Sequence, residues 1–440
     1  MCPVVIALRD YQNEQIVQLR EGFRAGFNRQ LLAMATGGGK TVIFCFMTKQ
    51  ASEKGLRVMI LAHRAEILDQ IDETLSKFGI TAGHIRAGKP MDKTKRVFVA
   101  SVQTLVRRLD DAPVPDLVIC DECHHAAAGQ YVQIFAHYSK SKFVGVTATP
   151  ERLDGKGLGD FFDRMVLGPQ AGWLIDNGFL KRPIYIGTSN PVDMSGVHKV
   201  AGEYNKAESA EAMDKKVITG DAVAHYRQFG RGMPAVAFCV NLKHAASVES
   251  QFNAAGLRAE IIDGTMTADE RRARKARLAD GTTRVMVSCE LVSEGFDLPC
   301  VGVGILLRPT ASLSLHLQQL GRPLRAHPGQ DVAIILDHAG NTLRHGPAEE
   351  ERDWSLEGNA AKKRKKEVAI ETRQCDKCYA IFQGTLCPQC GTTRESKARE
   401  IEIQEGQLRE IDAAVLMERR NKRTEEGKCR TLQDFQALGK

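Results

Sequence analysis

Short apolar runs alternate with stretches of helical spacing along the first half of the chain. RQLLAMA from Arg29, RVMILAH from Arg57, RVFVAS from Arg96, DLVIC from Asp116 and FVGVT from Phe143 read as strands. Between them, Lys40 to Glu53 and about Ala65 to Lys77 read as helices. Near-continuous apolar strands joined by helices predict βαβ units and a parallel sheet covered on both faces. The pattern then restarts. PAVAFCV, RAEIID, RVMVSC, VGVGILL and DVAIILDH read as strands, with helices over Leu242 to Ala255 and Ala268 to Ala279. The mixed, polar stretch from Gly187 to Lys216 reads as a connector with one helix.

This patterning divides the chain into an α/β domain over 1–186, a connector over 187–216 and a second α/β domain over 217–340. A basic linker (341–369), a cysteine-rich segment (370–395) and a helical tail (396–440) follow. The linker contains KKRKK, Lys362 to Lys366, either a solvated run or a patch for phosphates.

Composition adds little to this picture. Lys plus Arg exceed Asp plus Glu by 61 to 54, which fits a nucleic-acid partner without requiring one. No apolar run reaches the ~18 residues of a membrane span, and the N-terminus lacks the pattern of a secretion signal. The expectation is a cytoplasmic protein without membrane partners. Several of the 12 cysteines, such as Cys120 and Cys289, lie inside apolar runs and read as buried thiols.

Three local patterns carry chemistry. LLAMATGGGKTV, Leu31 to Val42, sits between a strand and a helix, where a phosphate-binding loop belongs. Gly37, Gly38 and Gly39 would let backbone N–H groups wrap an anion. Lys40 would reach the β- and γ-phosphates of a nucleotide, and Thr41 would offer its hydroxyl to Mg²⁺. The first glycine of G-x-x-x-x-G-K-[ST] is missing, because position 34 is Met34, so a plain glycine-rich turn is the alternative. Asp121 and Glu122 end a predicted buried strand, where open parallel sheets bind ligands. Asp121 would hold Mg²⁺ and Glu122 would activate water. In QQLGRPLR, Gln318, Arg322 and Arg325 fall at i, i+4 and i+7 and share a helix face suited to phosphate oxygens.

Together these stretches resemble the DExH class of superfamily 2 helicases. Asp121-Glu122-Cys123-His124 resembles its motif II. That class writes its loop A-x-T-G-x-G-K-T, and MATGGGKT matches from Thr36 onward. LRDYQ resembles the Q-tip element, in which Gln12 would read adenine. LAHRAEILDQ, with His63 and Arg64, resembles motif Ia. VASVQTL, with Ser101, Gln103 and Thr104, resembles motif Ib. Both grip a nucleic-acid backbone in that class. TATP resembles motif III, so Thr147 and Thr149, with His124 and Gln318, would couple hydrolysis to domain movement. VAFCVNLKHA resembles motif IV. SEGFDLP resembles motif V, which would place Glu294, Gly295 and Asp297 near the interdomain cleft, with Gly295 and Asp297 binding ATP. QQLGRPLR resembles motif VI, whose Arg322 and Arg325 would act as fingers on the γ-phosphate. The resemblance implies two tandem RecA-like domains that close on ATP.

Cys375-x₂-Cys378 and Cys387-x₂-Cys390 have the spacing of a tetrahedral Zn²⁺ knuckle, with disulfides and a redox CxxC as alternatives. Two helicase domains followed by such a knuckle are similar to the RadD type of repair helicase, a layout phage relatives share. That likeness implies DNA repair, with a recombinase or single-strand-binding protein as partner. The expected activity is an ATP-dependent DNA helicase or translocase, with DNA favoured over RNA. An RNA helicase, the motor subunit of a restriction or defence system, and a non-motor ATP clamp are the alternatives.

Overall fold

The computed structural model describes residues 7–123, 129–152, 157–187, 194, 196–200, 203–213, 216–289, 298–357, 372–375 and 377–393. His124, Glu294, Gly295, Asp297, the Lys362 to Lys366 run and the expected helical tail lie outside these residues.

Seven strands form the first sheet: β1 (Arg29–Ala33), β2 (Val58–Ala62), β3 (Gly83–Ile85), β4 (Val97–Ser101), β5 (Leu117–Asp121), β6 (Lys142–Thr147) and β7 (Arg164–Leu167). Their order is β3-β4-β2-β5-β6-β1-β7, and every pair is parallel. The alternation along β5 shows why the run is apolar throughout. Leu117 and Ile119 enter the core on one face, and Val118 and Cys120 enter the core on the other. The five strands expected from the sequence are present. The two unforeseen ones, β3 and β7, are the short edges, where fewer apolar residues are needed.

The second sheet contains β8 (Arg182–Gly187), β11 (Ala235–Cys239), β12 (Ala259–Ile262), β13 (Val285–Cys289), β14 (Val303–Leu306) and β15 (Val332–Asp337), ordered β12-β13-β11-β14-β15-β8. It too is parallel. A boundary at residue 186 puts β8 with the first domain, but its hydrogen bonds with β15 put it at the edge of the second sheet. Pro183 suits that place, since an edge strand tolerates a missing N–H. The connector holds a hairpin of β9 (Lys199–Val200) and β10 (Glu203–Tyr204), then the helix Lys206–Met213. A last hairpin, β16 (Thr372–Gln374) and β17 (Ile381–Gln383), frames the cysteines. No helix among the described residues is long and apolar enough to cross a membrane.

Candidate active site

The glycine loop leaves β1 through Met34, whose N–H donates to Thr147 O at 3.0 Å and whose side chain is buried in the core. Position 34 therefore belongs to the sheet rather than to the anion-facing part of the loop. Gly37 and Gly39 have φ of 86° and 87°, a region that only glycine enters cheaply. Gly39 leads directly into the helix Lys40–Glu53, so its first free N–H groups face the loop. Lys40 Nζ folds across the loop, donating to Met34 O at 3.0 Å and Ala35 O at 3.4 Å. Burial lowers the Lys40 pKa, Glu122 and Asp121 oppose that shift, and Arg325 and Arg322 add to it. The lysine thus feels both acids of one lobe and both arginines of the other.

Gln12 lies against this loop, with both ends of its amide hydrogen-bonded. Its Nε2 donates to Gly38 O at 3.2 Å, and its Oε1 accepts the Arg9 N–H at 3.0 Å. Tyr11 OH donates to the same carbonyl at 2.8 Å. The Gln12–Tyr11 pair clamps the loop to the helix Asp10–Arg24.

β5 lies in the middle of the sheet and ends in Asp121. Burial, then the neighbouring Glu122, pushes the Asp121 pKa up to about 7. Glu122 has φ 47°, in the left-handed region, and its backbone N–H donates to Asp121 Oδ1 at 3.0 Å. Such strain in a non-glycine residue persists only where the surroundings hold it, and it concentrates at working sites.

The other wall comes from the second lobe. The helix Leu313–Leu320 and the turn after it carry Gln318, Arg322 and Arg325. All three line a cleft of about 920 Å³ together with Thr36, Gly37, Gly39, Lys40, Thr41, Asp121 and Glu122. Gln318 and Arg322 are each only 3% exposed. Desolvation lowers Arg325 to about 10, so it stays charged at neutral pH. Gly321 lies so close to Thr36 that a Cβ there would overlap the threonine side chain. Thr147 Oγ1 donates to Thr149 O at 2.9 Å and accepts the Thr149 N–H at 3.2 Å, fixing the turn. Thr149 Oγ1 then donates to Ser314 Oγ at 2.6 Å, across the two lobes.

A further group sits apart from the loop at the same carboxyl edge. His63 and Arg64 follow β2, and Ser101, Gln103 and Thr104 end or follow β4, its neighbour. Ser101 Oγ donates to Gln103 Oε1 at 2.8 Å, and Gln103 Nε2 donates to His63 O at 3.2 Å. Two stretches some 40 residues apart thus form one surface.

The four cysteines also come together, with their sulfurs all within 4.8 Å of one another. Cys375 and Cys390 are 3.6 Å apart and Cys378 and Cys387 3.5 Å, far beyond a ~2.05 Å disulfide bond. Four thiolates around Zn²⁺ would be about 3.8 Å apart, given Zn–S bonds of ~2.3 Å in a tetrahedron. Each pair sits on a matching turn, closed by Tyr379 N–H to Cys375 O and Gly391 N–H to Cys387 O, both 2.9 Å. The cluster fits a structural zinc site.

Sequence reasoning missed three contacts in and around the cleft. Arg9 stacks over Phe179, 4.6 Å from the ring centroid, and both line the cleft. Arg271 pairs with Glu66 at 2.9 Å, joining the helices Ala268–Ala279 and Ala65–Lys77 of opposite lobes. Ser314 is the third. The stacking of Arg9 had a faint signal, since it lies within the Q-tip stretch LRDYQ. The two cross-lobe contacts had none, because their partners are far away in sequence.

Known proteins share these parts. The family described as type III restriction enzyme, res subunit, matches residues 5–152, and the helicase conserved C-terminal domain matches 221–327. A 51.5 kDa protein of Lactococcus phage (isolate 7-9) is 33% identical over 81% of this chain and 76% of its own. IRC3 of Saccharomyces cerevisiae, provisionally an ATP-dependent helicase, is 32% identical over 77% of this chain. The match spans only 52% of the IRC3 chain, about half its length. A fragment provisionally assigned as the HsdR subunit of a type I restriction enzyme from Vibrio vulnificus YJ016 superposes with a TM-score of 0.60. It covers 78% of this chain and 67% of the fragment at 22% identity, a likeness of fold. The matched families fall on the two lobes in the order of the motifs, and the cleft lies where the two meet. The chain therefore belongs to the superfamily 2 helicases, with two RecA-like domains and a four-cysteine cluster after them.

Proposed function

We propose that this chain is an ATP-driven translocase on DNA, of the kind that serves as the motor of restriction enzymes. The observation that carries this reading is the cleft in which Lys40, Asp121 and Glu122 of one lobe face Arg322 and Arg325 of the other. The restriction-subunit family over the first lobe and the HsdR-like fold point to DNA as the track.

In this reading ATP lies in the cleft. Its phosphates take the N–H groups of Gly37 to Thr41, and Lys40 leaves the Met34 and Ala35 carbonyls for the β- and γ-phosphates. Gln12 holds the loop while the adenine lies nearby. The hydroxyl of Thr41 and the carboxylate of Asp121 are oxygen donors suited to Mg²⁺, and positive charge there would restore an ionised Asp121. Mg²⁺, when bound, neutralises phosphate charge during transfer. Glu122 accepts the proton of the attacking water, and Arg322 and Arg325 stabilise charge developing on the γ-phosphate. Loss of that phosphate removes the bridge between the lobes, and the cleft opens. His63, Arg64, Ser101, Gln103 and Thr104 supply a backbone grip on the first lobe. Gly295, Asp297 and His124 keep the nucleotide and coupling roles that the motif resemblance assigns.

A second reading, DNA repair in the manner of RadD-type helicases, is favoured by the four-cysteine cluster that follows the second lobe. Recombinase or single-strand-binding partners would belong to it. Steady-state ATP turnover with duplex, single-stranded, forked DNA and RNA, combined with triplex displacement on duplex DNA, separates the readings. The motor reading expects stimulation by duplex DNA and displacement of the third strand. Stimulation by RNA alone would replace it with an RNA helicase. Preference for forks without triplex displacement would favour repair. ATP binding without nucleic-acid-stimulated turnover would leave a clamp.

A further inference from the structure

We infer that Ser314 is a positioning residue, which transmits the state of the Thr147–Thr149 turn to the arginines of the second lobe. The inference rests on the ATP-hydrolysing reading above and names a residue that none of the motifs includes. Thr149 is 1% exposed and Ser314 9%, so the hydroxyl-to-hydroxyl bond between them is shielded from water. It joins residues 165 apart, one from each lobe.

The placement of both partners gives this bond its leverage. Thr149 has little freedom, because its N–H and carbonyl both engage the Thr147 hydroxyl. Thr147 ends β6, and Asp121 is paired in register with Val146, the residue before it. The acidic end of β5 and the Thr149 turn therefore move as one piece of sheet. Ser314 lies in the first turn of the helix Leu313–Leu320, which Ser312 caps by accepting the Leu315 N–H at 3.2 Å. Gln318 is one turn further on, on the same face. Arg322 follows in the turn that Gly321 closes, with its N–H donating to Gln319 O at 3.3 Å.

The helix is thus held against the first lobe at both ends. Ser314 meets Thr149 at one end and Gly321 meets Thr36 at the other. A helix pinned at one point can pivot, whereas one pinned at two has a fixed orientation. Ser314 sets the pitch of the helix, and so the aim of the Arg322 and Arg325 guanidiniums into the cleft. Loss of its hydroxyl should leave nucleotide binding alone, because neither Ser314 nor Thr149 lines the cleft. It should slow the chemical step, which needs the arginines correctly aimed.

The test uses the full chain, its zinc site loaded, with duplex DNA as activator. Ser314→Ala and Thr149→Val should each lower kcat about tenfold, the order of one shielded hydrogen bond. The KM for ATP and the affinity for a fluorescent, non-hydrolysable ATP analogue should stay within about twofold of wild type. Ser314→Thr, which keeps the hydroxyl, should restore kcat. The Ser314→Ala/Thr149→Val double variant should be no slower than either single variant, because both remove one bond. A kcat for Ser314→Ala within twofold of wild type, or single losses that multiply in the double variant, would overturn the inference. So would a parallel fall in analogue affinity. If Ser314→Ala does not fold, the Thr149→Val and Ser314→Thr pair carries the same test. No hydrolysis by the wild-type chain under any nucleic acid would instead remove the motor reading itself, and this role with it.

Discussion

Replacing Gly321 by Ala separates the energetics of the helix from those of lobe closure. Gly321 closes the arginine-bearing helix with φ −64° and ψ −10°, ordinary right-handed helical values. Alanine is therefore tolerated by the backbone, and a Gly-to-Ala change in a helix gains up to about 1 kcal/mol. The cost arises between the lobes. A Cβ at this position would lie 2.6 Å from Thr36 Cβ, whereas carbon atoms pack best at ~3.5–4.0 Å. The helix and the phosphate loop would have to part by about 1 Å, and displacements of that size near reacting groups cost on the order of 100-fold in rate. Thermal melting and steady-state ATPase on the same preparation test the argument. Melting should be unchanged or slightly higher, kcat should fall by about 100-fold, and binding of an ATP analogue should weaken far less. A kcat within about threefold of wild type would refute the close approach of Gly321 to Thr36 as a requirement for catalysis. A melting temperature several degrees lower would show that the glycine serves the folded lobe instead.

Lys40→Ala should abolish ATP turnover, because it removes the charge at the phosphates; near-normal turnover would move the site elsewhere. Glu122→Gln should retain ATP-analogue affinity while its single-turnover hydrolysis slows by at least about 100-fold, and loss of binding instead would assign Glu122 to the nucleotide. Arg271→Glu places like charges against Glu66, so it should lower the fraction of closed molecules, read by interlobe fluorescence transfer, with the defect relieved in Arg271→Glu/Glu66→Arg. Unchanged transfer would make the ion pair incidental. Purified protein should carry one zinc per four-cysteine cluster by metal analysis. Cys387→Ser should lower that ratio and raise hydrogen exchange over 182–187; intact protection there would separate the cluster from the sheet.

The two sheets were legible because each central strand is apolar on both faces, a pattern that survives without knowledge of its neighbours. β5 is the plainest case, since every residue from Leu117 to Asp121 is buried. The phosphate loop and the Asp121-Glu122 pair were legible for a related reason. Their chemistry is local, written in residues next to one another. RPIYIG was not read as a strand, because it carries no mark of which sheet it joins, and only its hydrogen bonds with β15 decide. Gln12 lies against the phosphate loop, as the motif resemblance leads one to expect, but its bonds to the Gly38 carbonyl and the Arg9 N–H depend on residues up to 26 positions away and are not written in its neighbours. Ser314, Arg271 and Gly321 act on the opposite lobe. Spacing along the chain cannot reveal such contacts, since each depends on how two separately folded sheets meet.

The cysteine cluster belongs to that last class as well. Its spacing announces a metal knuckle, and a knuckle alone reads as an appendage held by its ion. The structure ties it to the second sheet. Gly187 at the end of β8 donates its N–H to Tyr379 O at 3.0 Å, and Ile186 forms an antiparallel bridge with Ala380. Ile381 packs into the same core as Tyr185 and Ala348. β8 is an edge strand, so its outer N–H and carbonyl groups need either water or a partner. The segment between the first and second cysteine pairs supplies that partner. Tyr185 then links the same strand to the chain leaving the second lobe, donating to Glu349 Oε2 and accepting the Ala348 N–H, both at 2.8 Å. That chain returns to the first lobe, where Gln170 and Arg352 exchange two hydrogen bonds of 3.0 Å each. The cluster, the edge of the second sheet and the strap across the lobes are therefore one continuous set of contacts. A zinc site built into that set is linked through Tyr185, Ala348 and the Gln170–Arg352 bonds to the place where the lobes meet.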